Sequence, residues 1–355
     1  MTTNSDSKHR RIGLRQIANA AQVSVATVSR VLNGNARVNP ALQKTVLDAA
    51  AKLDIDISSR NKTKAIAFLL SNRSLLHAFH SRVLIGAENH FTALGWDMVF
   101  LSYNYSLEAT HRELRPPQLL QRQDAVRAVI LAGTNSTAML EFLQRKHITF
   151  AALGNNVMNA TDDLKGYDVV FSDDIQGAYD MTRYLISLGH RDIGFVGNLR
   201  MPWFARCLDG YRRAMNGAGL TERLNSTDSE DDVESGYIGA KSLLAQQEKV
   251  TAILAGDDPT AHGVYKALRA SGLRIPEDIS VCGCNDTVGS WLHPPLTTIR
   301  EFPEQLGKQL AEVILNRIHS PSLPPQRVTV PTELVKRDSC HPVLVMRDLA
   351  APVRN

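Results

Sequence analysis

The sequence predicts an α/β protein in two parts. The first is an N-terminal three-helix, helix-turn-helix head. The second is a larger two-lobed body built on doubly wound parallel sheets. Three observations predict this. Residues 14–33 read as two short helices around a tight turn. Charge is split, with 11 Lys/Arg against 4 Asp/Glu in residues 1–64 (net +7) and 29 against 32 in the other 291 (net −3). From Ala65 onward, short apolar runs alternate with stretches of helical periodicity, the pattern of parallel sheets covered by helices.

The head comes first. Leu14, Ile17, Ala18 and Ala21 have the spacing of one helix face. Ser24 is a natural cap for a second helix over Val25–Leu32. Asn39-Pro40 opens a third helix ending near Leu53, because proline suits a helix's first turn. In a helix-turn-helix the second helix enters the DNA major groove. Here that helix is small and hydroxyl-rich, so it can lie close to phosphates. Thr27, Ser29 and Asn33 are placed to hydrogen-bond phosphates, while Val25 and Ala26 can touch thymine methyls and Arg30 can pair with guanine. The candidate DNA-binding set is therefore Ser24, Val25, Ala26, Thr27, Ser29, Arg30 and Asn33, and the expected partner is double-stranded DNA. The net charge of +7 is the electrostatic footprint of such a module. The head is assigned to residues 1–53 and a polar, basic linker to residues 54–64.

The body is read from its periods. Strands are expected at Ala65–Leu70, Met98–Leu101, Ala128–Leu131, Thr149–Leu153, Val169–Phe171, Ile193–Val196, Ala252–Leu254 and Ile279–Cys284. Helices are expected at Val83–Leu94, Gln176–Leu188, Gly210–Ala218, Gly236–Ala245 and Thr260–Ser271. Gly95, Gly189 and Gly272 follow three of these helices as left-handed caps. This length of alternation suits two lobes better than one. The body is assigned to residues 65–342, and the tail, 343–355, has no clear period.

Other classes lose support. No apolar stretch reaches the 18 residues of a membrane span, and the first eleven residues lead into no apolar signal core, so a cytoplasmic protein is expected. Cys282 and Cys284 share one face of a strand and cannot easily bridge. Together with Cys207 and Cys340 they read as free thiols. GxSxG, P-loop and post-strand GxGxxG patterns are missing, as is metal-ligand spacing among the histidines, so neither an enzyme nor a cofactor or metal is expected. The acidic run Asp228–Glu234 reads as a solvated loop before a helix.

Longer motifs carry a resemblance. They are Val170-Phe-Ser-Asp-Asp-Ile-Gln-Gly177, Leu188-Gly-His-Arg-Asp-Ile-Gly-Phe195, Asp209-Gly-Tyr-Arg-Arg-Ala214, Val250-Thr-Ala-Ile253, Asp258-Pro-Thr-Ala-His-Gly263, Ile275-Pro-Glu-Asp-Ile-Ser-Val281, Pro294-Pro-Leu-Thr-Thr-Ile299 and Pro331-Thr-Glu-Leu-Val-Lys-Arg-Asp-Ser339. With the head, they resemble the lactose-repressor/galactose-repressor (LacI/GalR) family of bacterial transcription regulators over about residues 12–340. The resemblance implies a body like the periplasmic sugar-binding proteins, with two lobes, three crossovers and a ligand cleft. Lobe one would be about 65–165 and 296–324, and lobe two about 166–291 and 326–342. It also implies a homodimer on a near-palindromic operator, acting as a repressor under a small, sugar-like effector. His77, Phe79 and His80 lie after the first strand, where the family places ligand contacts. Trp203, Arg206, Asp258, Asn285 and Trp291 complete the implied effector set. Each aromatic has the alternative of filling core or a dimer surface.

Three positions depart from the family pattern. The hinge stretch L-x-Y-x-P-N-x-x-A-R-x-L is Leu53-Asp-Ile-Asp-Ile-Ser-Ser-Arg-Asn-Lys-Thr-Lys64, with no leucine to wedge into the minor groove. Cys207 stands where an effector-binding arginine is usual, and Arg206, one residue earlier, would point about 100° away on the helix. Asn285 stands where an aspartate takes sugar hydroxyls. These leave two other readings open. One is a DNA-binding regulator with a degenerate, non-sensing cleft. The other is a soluble small-molecule-binding protein with a vestigial head.

Overall fold

The computed structural model describes residues 14–32, 39–53, 64–122, 125–158, 164, 166–229, 231–246 and 249–343. Asn33, linker residues 54–63 and the tail beyond 343 lie outside them. Head and body are separate compact units.

In the head, residues 14–20 form α1, followed by α2 (Val25–Leu32) and α3 (Pro40–Lys52). Asn39 caps α3 by accepting the Ala41 amide at 2.9 Å. Ile17, Ala18 and Ala21 meet Val28, Val31, Val46, Ala49 and Ala50 in one small core. The i, i+3, i+4 spacing brings these apolar residues onto one face of each helix.

The body begins with β1 (Ala65–Ser71), α4 (Ala78–Ala93), β2 (Asp97–Tyr103), α5 (Gln118–Gln121) and β3 (Ala128–Gly133). Next come β4 (Asn135–Ser136), α6 (Thr137–Arg145), β5 (Phe150–Leu153), β6 (Val157–Met158) and β7 (Val169–Ser172). The second half holds α7 (Asp174–Ser187), β8 (Ile193–Gly197), α8 (Pro202–Gly217), β9 (Arg223–Ser226), α9 (Asp232–Leu244), β10 (Ala252–Ala255), α10 (Asp258–Ala270) and β11 (Ser280–Asn285). It closes with β12 (Thr297–Arg300), α11 (Pro303–His319), β13 (Arg327–Val330) and β14 (Glu333–Val335).

Two six-stranded sheets result, ordered β13-β7-β5-β3-β1-β2 and β14-β12-β11-β10-β8-β9. The first is parallel throughout, with Ile66 opposite Ala128 and Val328 opposite Val170. In the second only β14 runs antiparallel. Strand residues alternate between faces. Ile193, Phe195, Cys282 and Cys284 pack with Met181, Leu185 and Tyr211 on one side, while Val196, Ile253 and Val281 pack with Val264 and Leu268 on the other. Cys282 and Cys284 therefore share a face, and all four cysteines are free thiols.

The crossovers differ from the expected lobe boundaries. Residues 169–172 and 327–330, expected in the second lobe, pair within the first sheet, and residues 297–300, expected in the first lobe, pair within the second. A strand belongs to the sheet that satisfies its backbone, so the chain changes lobe in the loops after β7, β12 and β13. The sequence motifs straddle these loops. The crossovers are stitched together: the Asp173 amide donates to Val330 O at 2.9 Å, and Thr332 Oγ1 donates to Asp173 O at 3.3 Å. Helix α11 and strands β9, β12, β13 and β14 were not anticipated from sequence, although α11 buries a regular helical face of Leu306, Gly307, Leu310, Ala311 and Ile314. Gly95, Gly189 and Gly272 do adopt positive φ, at 71°, 94° and 70°.

Close helix crossings set the layer spacing. A Cβ on Gly236 of α9 would collide with the Thr260 carbonyl of α10, and one on Gly263 of α10 with the Val233 carbonyl of α9. Gly86 of α4 and Gly307 of α11 make the same reciprocal approach in the first lobe. Backbone cannot yield as a side chain can. Gly263→Ala is therefore expected to lower body stability by about 1–3 kcal/mol in urea unfolding. Gly217→Ala, with nothing within 4 Å of the new methyl, is expected to be neutral or to stabilise by up to about 1 kcal/mol.

Candidate DNA-reading face and ligand cleft

In the head, Ser24 caps α2. Its Oγ accepts the Thr27 amide at 3.1 Å and lies 2.8 Å from Thr27 Oγ1, while its carbonyl accepts the Val28 amide at 3.0 Å. The buried side of α2 is Val28 and Val31. Val25, Ala26 and Arg30 are exposed, and Thr27 and Ser29 are partly so. Residues 25, 26, 29 and 30 fall into two i, i+4 pairs on one side of the helix. The structure thus places the described members of the predicted DNA-binding set along one capped helix. Asn33 lies outside the described residues.

In the body, a cavity of about 50 Å³ lies between the lobes. His77, Phe79, His80, Trp203 and Asn285, all singled out from sequence, line it. Arg73, Asn155, Asn156, Asp174, Asp257 and Glu301 line it as well and were missed. Each of these six lies in the loop, or at the helix start, directly after a strand. In open α/β sheets ligands bind outside the carboxyl ends of strands, and that rule applied to the predicted strands would have found all but Glu301, which follows the unpredicted β12.

Asp174 forms the back wall. Its side chain is 2% exposed. It accepts Arg206 Nε at 2.8 and 3.0 Å, Arg206 Nη2 at 2.7 Å, Asn155 Nδ2 at 2.7 Å and the Ile175 amide at 3.0 Å. Asn155 also clamps Ser172, accepting its amide at 2.8 Å and donating to its carbonyl at 2.9 Å. Arg206 itself does not line the cavity. One residue from the expected arginine position, it turns away as helix geometry requires, stacks on Phe171 at 5.1 Å and acts through Asp174.

Two other expected contacts are also elsewhere. Asp258 is fully buried, accepting Thr298 Oγ1 at 2.6 Å and the Gly289 amide at 2.9 Å, so it braces the loop after β11. Its neighbour Asp257 faces the cavity instead. Trp291 is 77% exposed and lies outside the lining. Asn285 holds φ at 82°, and its Oδ1 accepts Thr287 Oγ1 at 2.8 Å.

Electrostatics sharpen the site. Burial, aided by His77 and Arg73, lowers the His80 pKa to about 3, so its ring is neutral. His77 is lowered too, by burial and then Arg73. The Arg73 guanidinium lies 4.3 Å from the Trp203 ring centre, joining the loop after β1 to the start of α8 across the cleft. Asp257 caps α10 by accepting the Thr260 amide at 2.8 Å, yet burial and then Asp232 push its pKa up to about 8. Burial and then Asp174 push Glu301 up to about 8. Among the described residues no group of three or more His, Cys, Asp or Glu is arranged to hold a metal ion, and no helix is long and apolar enough to cross a membrane.

A helix-turn-helix joined to a two-sheet body with an interlobe cleft defines a class of ligand-linked DNA-binding proteins. Comparison with known proteins agrees. Residues 13–55 match the model for bacterial regulatory proteins of the lacI family, and residues 182–340 match that for the periplasmic binding protein-like domain. The ribose operon repressor of Haemophilus influenzae is 28% identical over 339 residues, covering 92% of this chain and 98% of its own. The transcriptional repressor PurR of Pasteurella multocida is 28% identical over 337 residues, with the same coverages. Among solved structures, the transcriptional regulator CelR–cellobiose complex superposes with a TM-score of 0.68 at 27% identity, covering 92% of this chain and 99% of that one. A ribose-bound LacI family regulator of Enterococcus faecium gives 0.65 at 25% identity, covering 79% and 99%. The chain thus carries a helix-turn-helix domain of the lacI family of bacterial regulatory proteins, followed by a periplasmic binding protein-like domain.

The raised carboxyls make a pH prediction. Folded Asp257 and Glu301 hold protons that the unfolded chain, with ordinary values of 3.8 and 4.5, has released. The stability they contribute is complete below about pH 4 and is lost as pH rises through about 8. His80 and His190, lowered to about 3 and about 4, act in the opposite sense, but only below their ordinary 6.5. Between pH 7 and 8.5 the melting temperature of the body is therefore expected to fall, and Glu301→Gln is expected to shallow that fall in a calorimetric series.

Proposed function

We propose that this chain is a homodimeric transcriptional repressor whose hold on operator DNA is set by a small polar, carbohydrate-like ligand in the interlobe cleft. One observation carries the reading. A cavity at the strand ends, lined by Asn156, Asp257 and Glu301 among others, belongs to the same chain as a capped helix with Val25, Ala26 and Arg30 exposed. Relatives bearing the names ribose operon repressor and PurR, and neighbours holding cellobiose or ribose, support it. Val25, Ala26 and Arg30 select bases, while Ser24, Thr27, Ser29 and Asn33 serve phosphates. Two heads read paired half-sites, and much of the affinity is salt-dependent. The protein works in the cytoplasm, on the nucleoid. Ligand acts by binding one degree of lobe closure better than another.

The polar lining favours a sensing cleft over a degenerate one despite Cys207 and Asn285. The experiment is anisotropy titration on DNA from upstream of the protein's own gene, with a sugar and nucleoside panel added. Release or tightening by one compound, with a matching rise in melting temperature, supports the reading. Failure to bind any genomic fragment at low salt favours a binding protein with a vestigial head. Arg30→Ala is expected to weaken operator binding by about 1–3 kcal/mol while sparing random DNA. An equal loss on both would remove Arg30 from base readout.

A further inference from the structure

The cleft holds more carboxyl groups than cationic ones. Asp174, Asp232, Asp257 and Glu301 all line it. Two guanidinium groups oppose these four carboxyls. Arg206 is committed to Asp174, and Arg73 lies over Trp203 and donates to Thr134 Oγ1 at 3.3 Å. Among the described residues, no cationic side chain forms an ion pair with Asp232, Asp257 or Glu301. Asp257 is only 3% exposed, and an unpaired carboxylate that deep is costly. The histidines do not make up the deficit, since both are held neutral.

A second observation points to a missing ligand rather than to a merely acidic wall. His80 lines the cavity at 3% exposure, and its Nδ1 has no hydrogen-bond partner. His77 Nδ1, beside it at a ring separation of 5.5 Å, has none either. Buried polar atoms in native proteins are nearly always satisfied, so such orphans mark a place where something else binds.

We propose that the cleft's ligand carries at least one protonated amine, borne on a small polar skeleton such as an amino sugar or a short diamine. The ammonium supplies the charge that Asp257 and Glu301 lack, and polar groups of the skeleton satisfy the two imidazoles and Asn156. An anionic ligand, such as a sugar acid or a phosphate ester, would face four carboxyls. A neutral polyol would leave two of them protonated or uncompensated.

The proton balance is explicit. In the free protein at neutral pH, Asp257 and Glu301 hold their protons. Asp257 faces Asp232 and Asp258, and Glu301 faces Asp174, Asp258 and Arg206. When the ammonium arrives, the carboxyl beside it ionises and its proton leaves to solvent. Amine binding thus releases protons below about pH 8 and tightens as pH rises toward it.

This inference rests on the ligand-sensing reading of the cleft, and its test separates the two. The full-length protein is titrated calorimetrically, in buffers of different ionisation heat, with matched glucose, glucosamine and glucuronate, matched galactose, galactosamine and galacturonate, putrescine and cadaverine. An amine member is expected to bind at least tenfold tighter than its neutral and acidic counterparts, with proton release at pH 7. Glu301→Gln, checked for unchanged circular dichroism and operator binding, is expected to lose at least tenfold in amine affinity and part of the proton release. Tighter binding by an aldose or uronic acid, or amine binding without proton release, would overturn the inference and leave the sensing cleft standing. If no member binds at any charge, the sensing reading falls and takes this inference with it.

Discussion

The body of this protein turns on the carboxylate of Asp174. It sits at the first crossover, where β7 of one sheet hands the chain to α7 under the other, and it is almost fully enclosed. A lone carboxylate there would be prohibitive. It is tolerated because Arg206 grips it with two nitrogens while Asn155 and the start of α7 donate to it. Loss of one partner from such a pair strands a buried charge, which typically costs about 3–5 kcal/mol. One side chain thus holds together the loop after β5, the crossover and α8, and so fixes the back wall of the cleft. The front is joined more lightly, by Arg73 lying over Trp203.

The same contrast explains the departures from the family pattern. Cys207 presents a small buried thiol to the cavity, 4.0 Å from Cys284 Sγ, where a long cation is usual. The neighbouring Arg206 does not replace it in the cleft, because one step along a helix rotates the side chain by about 100°. Its charge goes to Asp174 instead. The cleft is left acidic, with carboxyls that desolvation and mutual repulsion keep protonated.

Much of this was legible in the chain. The head's three helices follow from apolar spacing, a serine cap and a proline start, all local effects. Five body helices were readable from their period of 3.6, and eight strands as short apolar runs, because most of those strands are buried on both faces. The glycine caps were readable for the same local reason. The strands β9, β12, β13 and β14 were not, since they are short, lie in mixed surroundings and exist by virtue of partners far away in sequence. Five of the eight effector candidates do line the cavity. Asp258 and Trp291 do not, and Arg206 reaches it only through Asp174.

What the sequence by itself determined is the kind of protein: an N-terminal helix-turn-helix, a parallel α/β body, and the family that its motifs announce. Those are written in local patterns and short-range spacing. The tertiary structure alone decided where the chain changes lobe, which of two adjacent aspartates faces the cleft, and which carboxyls meet there without a cation. Asp257 and Asp258 are neighbours in sequence, yet one caps a helix into the cavity and the other braces the loop after β11. Lobe membership, burial and charge balance depend on groups tens to hundreds of residues apart. No local pattern carries that information, because it arises only when the sheets assemble and bring their strand ends together.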